Sequence, residues 1–124
     1  MINTIAELSI LEGIEIARRA VDAASDKQAS NVALLDVRGI CGFADYFVIC
    51  AGESQRQLRA IYDEIEKSLK EEGVRPHHRE GAFDSGWLLL DYGDVIVHIF
   101  STEEREFYKL DELWNEAQAV LRIQ

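Results

Sequence analysis

Apolar positions along the chain keep two rhythms, and these predict its elements. Ile10, Ile14, Ala17, Val21 and Ala24 recur at spacings of four and three, which puts them on one stripe of a helix over residues 4–24. Gly13 weakens that helix without ending it. The runs VALLDV (32–37) and DYFVICA (45–51) are short, apolar and rich in β-branched or aromatic residues, so they read as strands. Between them the loop RGICGFA takes its turn flexibility from Gly39 and Gly42. Leu58, Ile61, Tyr62, Ile65 and Leu69 return to helical spacing. Ser54 opens that second helix, Gln57 completes a capping box, and Gly73 stands where a left-handed C-terminal residue is wanted.

Residues 74–79 read as a short edge strand, because Pro76 removes an amide donor that a central strand would need. The stretch EGAFDSG that follows reads as a loop. WLLLDY and VIVHIF, joined by Gly93-Asp94, predict a β-hairpin with a two-residue turn. A last helical region begins near Ser101, with Glu104 completing a second box, and runs in one or two pieces to about Ala119. Phe107, Leu110, Leu113 and Trp114 carry its apolar face. The order α-β-β-α-β-β-β-α predicts one α/β domain over 1–124, a mixed sheet of about five strands packed with helices.

The hairpin turn sets its register. Tyr92 faces Val95, Leu90 faces Val97 and Leu88 faces Ile99, so one side of the hairpin is wholly apolar or aromatic and belongs on the core. The other side carries Trp87, Leu89, Asp91, Ile96, His98 and Phe100. Two readings of this mixed side stand together. A helix covers it, with Asp91 and His98 paired; or it is a recognition patch, with a tryptophan anchor beside carboxylates suited to lysine or arginine.

Charge narrows the partners. With 13 Lys plus Arg against 23 Asp plus Glu, the 124-residue chain has a formal net charge of −10. Little direct nucleic-acid binding is expected, since phosphate affinity comes from lysine and arginine displacing counterions. A basic protein partner fits better. Cys41 and Cys50 have neither disulfide-framework nor zinc-ligand spacing and read as two reduced thiols. No signal-peptide pattern and no apolar run long enough for a membrane span is present, so a cytoplasmic protein is expected. His77 and His78 are adjacent in an extended segment, point to opposite faces and do not share a metal ion. The Gly52-Glu53-Ser54 turn lacks the lysine of a P-loop. No metal or cofactor is expected.

ADYFVICAGES, RQLRAI and WLLLDYGDVIVHIFSTEEREFYKLDELW closely resemble the ribosomal silencing factor (Iojap-like) family over about residues 8–117. The resemblance implies a non-enzyme that binds the large ribosomal subunit, through the universal ribosomal protein numbered fourteen on its intersubunit face, and sterically blocks the small subunit. The family's binding patch maps onto Trp87, Asp91, Tyr92, Gly93, Asp94 and His98, with Glu80 near the rim. The family's fold is similar to nucleotidyltransferases, which suggests an alternative: a metal-dependent enzyme with a degenerate Asp36/Asp45/Asp91 site. Against it, the Gly-Ser and Asp-x-Asp pattern of such enzymes becomes Gly42-Phe43 and Asp45-Tyr46-Phe47 here, so the catalytic carboxylate pair is missing. A homodimer formed off the ribosome through the mixed hairpin side is the third reading.

Overall fold

The helices and apolar runs assemble around one mixed sheet in the computed structural model, which describes residues 11–104 and 118–123. Helix α1 spans Gly13–Asp26, strand β1 Ser30–Asp36, β2 Tyr46–Gly52 and helix α2 Gln55–Lys70. Strands β3 (His78–Ala82), β4 (Trp87–Asp91), β5 (Val95–Ser101) and β6 (Gln118–Ile123) follow. The sheet order is β3-β4-β5-β2-β1-β6, and only the central β2–β5 pair is parallel.

Both described helices pack against each other on one face of the sheet. Their stripes bury Ala17, Ala20, Val21, Ile61, Ile65 and Leu69 against Leu34, Val48, Leu90, Val97 and Ile99. Fully burying one such large aliphatic side chain contributes roughly 1.5–3 kcal/mol, so this layer dominates the stability. The opposite face carries Ala33, Leu35, Phe47, Ile49, Ile96 and Phe100, also buried. β2 is therefore buried along its whole length, as a central strand of a two-sided sheet must be.

Several expectations shift. The first helix starts at Gly13, where the Glu15 carboxylate accepts from the Glu12 amide at 3.0 Å; Leu11 and Glu12 are not helical, and residues 4–10 lie outside those described. Ser54 caps α2 as expected, accepting from the Gln57 amide at 3.0 Å. Gln57, however, reaches back to Glu53, not Ser54, accepting at 2.7 Å, while its amide nitrogen donates to the Lys27 and Gln28 carbonyls. That side chain thus ties the start of α2 to the end of α1. The edge strand is displaced from 74–79 to His78–Ala82, and three residues read as loop become strand, because pairing with β4 satisfies their backbone.

The final segment differs most. Ser101 does cap a helical start at 102–104, accepting from the Glu104 amide at 3.1 Å. Residues 118–123 are a sixth strand on β1, where a helix was expected to reach Ala119. Its pairing supplies what its helix-favouring alanine, glutamine, leucine and arginine do not. Residues 105–117, with Phe107, Leu110, Leu113 and Trp114, lie outside those described.

Candidate functional site: an aromatic groove with an acidic rim

The hairpin forms in the predicted register, with Leu88 opposite Ile99 and Leu90 opposite Val97. Tyr92 closes it by donating its amide to the Val95 carbonyl at 2.8 Å. Gly93 holds φ +90°, a left-handed turn position that glycine alone adopts without strain. The turn is fixed from outside as well, since the Asp94 carbonyl accepts from Asp45 and Tyr46 at 2.7 and 3.0 Å.

Register then builds three rows across the mixed side. His78, Asp91, Ile96 and Phe47 are successive cross-strand neighbours; so are Glu80, Leu89, His98 and Ile49; Ala82, Trp87, Phe100 and Ala51 form the third row. The first row, Glu80, Leu89 and His98 of the second, and Trp87 line a groove of about 380 Å³, with Phe43 from the β1–β2 loop at one lip. Phe43 is 68% exposed and its ring lies 6.2 Å from that of Phe47. That exposure adds an apolar ring to the groove lip. Its only sequence signal is an aromatic beside Gly42 in a loop with no apolar periodicity to absorb it.

Two of the rings lining the groove, Trp87 and His98, sit beside the buried ring of Phe100. Trp87, His98 and Phe100 lie nearly parallel, with centroids 6.1–6.2 Å apart and interplanar angles of 7–11°. The Trp87 indole Nε1 donates to His98 Nδ1 at 3.3 Å, which requires that nitrogen to be unprotonated. Burial pushes the His98 pKa down to about 4. The Asp91–His98 pair, which belonged to the reading of a helix-covered face, does not form. Asp91 instead accepts from the Gly93 amide at 2.7 Å, so it orders the turn and keeps its other oxygen for the groove. Glu80 stands on the opposite wall, paired with His78 at 2.7 Å across an exposed surface.

Of the seven sequence-predicted residues, Glu80, Trp87, Asp91 and His98 meet in this groove. Gly93 and Asp94 sit at the adjoining turn. Tyr92 does not join them: its side chain points to the helical face and is buried in that core, because alternation along β4 puts it opposite Asp91. Its role is to anchor the turn.

Protonating His98 costs desolvation in the native state, so the sign of its pH effect is definite. The unfolded chain takes up the proton near pH 6.5 and the folded chain only near pH 4. Stability is therefore full above the unfolded value and falls as pH drops through this window. Between pH 7 and 5 the loss should be about 2 kcal/mol. Urea unfolding at both pH values tests this, with His98→Phe keeping the stack but losing that component of the slope.

The Asp36/Asp45/Asp91 alternative does not survive the topology. Asp36 ends β1, Asp45 precedes β2 and Asp91 ends β4, with β2 and β5 between the outer two. Three inter-strand steps separate Asp36 from Asp91 by about 14 Å. Asp36 is moreover held by Arg38, at 2.7 and 3.0 Å, and that hydrogen bond lowers its pKa. Among the described residues no group of three His, Cys, Asp or Glu is arranged to hold a metal ion, and no helix is long and apolar enough to cross a membrane.

The fold is a mixed α/β domain, and its groove sets aromatic rings beside the carboxylates of Glu80 and Asp91. Residues 11–124 match the family described as "Ribosomal silencing factor during starvation". A ribosomal silencing factor of Halalkalibacterium halodurans is 42% identical over 106 residues, which is 86% of this chain and 91% of that protein. A crystal structure of a Chromobacterium violaceum protein superposes with a TM-score of 0.80 at 30% identity, covering 85% of this chain and 88% of the other. The mouse protein named "Mitochondrial assembly of ribosomal large subunit protein 1" is 33% identical over 91 residues, 71% of this chain and 40% of its own length. The chain belongs to the ribosomal silencing factor family, whose members are regulatory proteins and not enzymes.

Proposed function

We propose that this protein represses translation by binding the large ribosomal subunit in the cytoplasm and occluding the face on which the small subunit docks. The partner is a basic ribosomal protein on that face, the universal one numbered fourteen. The observation that carries this reading is the groove itself: Trp87 and the exposed Phe43 offer apolar anchors, and Glu80 and Asp91 flank them with carboxylates. Buried aromatic contact with a charged rim is the chemistry of interface hot spots. The chain's net charge of −10 favours encounter with a basic partner. Membership of the silencing family, and a relative named for the ribosomal large subunit, support the same partner. Occlusion needs bulk in the right place and no catalytic group.

Gradient sedimentation of purified subunits with the protein added tests this. Co-migration with large subunits and loss of intact ribosomes is expected; unchanged subunit joining with no co-migration would sink the reading. The same groove also suits a contact between two copies off the ribosome. In that case light scattering should show the mass falling on Trp87→Ala.

A further inference from the structure

The acidic chain sets four of its 13 cations around one groove. Lys67 and Lys70 on the last turns of α2, Arg75 in the connection and Arg79 on β3 line a second groove of about 320 Å³, with Glu66 as its one carboxylate. All four cations are exposed. Glu66 is occupied by Arg79 at 2.7 Å, and the nearby Glu72 faces Arg19 at 3.3 Å. Among the described residues, Lys67, Lys70 and Arg75 have no carboxylate within ion-pair distance. Interaction with the helix dipole accounts for Lys67 and Lys70, but it reaches only the last turn. Arg75 and Arg79 lie beyond it, so the dipole does not explain the cluster.

Position links the two grooves. β3 is an edge strand whose side chains alternate: His78 and Glu80 turn to the aromatic groove, while Arg79 turns to the cationic one. A surface that docks a basic protein through one side of β3 therefore presents cations beside it. On a ribosome, the anionic surface next to a basic protein is RNA backbone.

We propose that this groove binds phosphodiester groups of ribosomal RNA that lie beside the protein docked in the aromatic groove. This rests on the proposed ribosomal function but uses different residues. Flexible lysines and an open groove suit a sequence-independent backbone contact whose strength depends on salt.

The test uses the full chain. At 50 mM salt, a short RNA hairpin should shift the backbone NMR signals of Lys67, Lys70, Arg75 and Arg79, and the triple variant Lys67→Ala/Lys70→Ala/Arg75→Ala should abolish those shifts. For large-subunit binding, the slope of log affinity against log salt should fall by about one per cation removed. Across 50 to 200 mM salt that amounts to roughly 20- to 40-fold less salt sensitivity in the triple variant. Absence of RNA-induced shifts together with a slope shared by both proteins would overturn the proposal and leave the silencing function standing. RNA shifts in a wild-type protein that never binds large subunits would instead sink that function and keep the groove as an RNA contact. Saturable shifts with ATP but none with the hairpin would also overturn it, by assigning the groove to a small polyphosphate.

Discussion

Trp87→Ala should weaken large-subunit binding by roughly 30- to 1000-fold, an effect of about 2–4 kcal/mol, while the protein stays folded. The indole is half-buried and parallel to His98 and Phe100. Truncation removes the anchor and leaves a notch that the partner cannot fill. It also uncovers His98, whose depressed pKa comes from burial, so that pKa should climb from about 4 toward its ordinary value. An imidazole NMR titration reads this second change on the free protein. Trp87→Phe should fall between, since it keeps a ring in the stack but loses the indole donor to His98. Unchanged affinity in a folded Trp87→Ala protein would remove the groove as the binding surface without touching family membership.

Gly81→Ala should open the β3 edge. Gly81 holds φ +92°, and a Cβ there would lie 2.1 Å from the Trp87 carbonyl oxygen and 3.1 Å from the Leu88 Cα. Both obstacles are backbone of the neighbouring strand, so no side-chain rotation relieves the clash. β3 is exposed along its whole length and, among the described residues, pairs with β4 alone, so the least costly escape is for the edge strand to lift away. Left-handed strain of about 1–2 kcal/mol, plus ladder hydrogen bonds worth about 1 kcal/mol each, puts the local loss near 2–4 kcal/mol. Amide exchange over residues 78–82 should rise strongly while α1 and the β2–β5 pair stay protected. Because β3 supplies Glu80 to one groove and Arg79 to the other, subunit binding should weaken too. Gly42→Ala is the control: nothing lies within 4 Å of its added methyl, and an effect under about 0.5 kcal/mol is expected. If both variants exchange alike, β3 is not held as described.

The hairpin was readable from sequence because its information is local. A Gly-Asp turn fixes the register, and the register alone sorts Leu88, Leu90, Val97 and Ile99 from Trp87, Asp91, Ile96 and His98. The Ser54 cap and the stripe of α2 were readable for the same reason, since each depends on residues three or four apart. Phe43 was not readable as part of the site. Its place at the groove lip depends on β1 and β2 pairing and on the parallel β2–β5 contact that carries Phe47 under the hairpin.

The sequence by itself determined the amphipathic stripe of α2, the hairpin and its two unlike faces, the acidic balance, and enough motif detail to mark the silencing family. Only the tertiary structure decided the rest. It made residues 118–123 an edge strand where a helix was expected to reach Ala119, because pairing with β1 outweighs a helix propensity of a few tenths of a kcal/mol per residue at Gln118 and Ala119. It also kept Asp91 from His98 and held Asp36 and Asp91 three strands apart. Periodicity says which side of a strand a residue occupies. Which strands lie side by side is set by non-local burial, and that is what assembled the aromatic groove on one side of β3 and the cationic groove on the other.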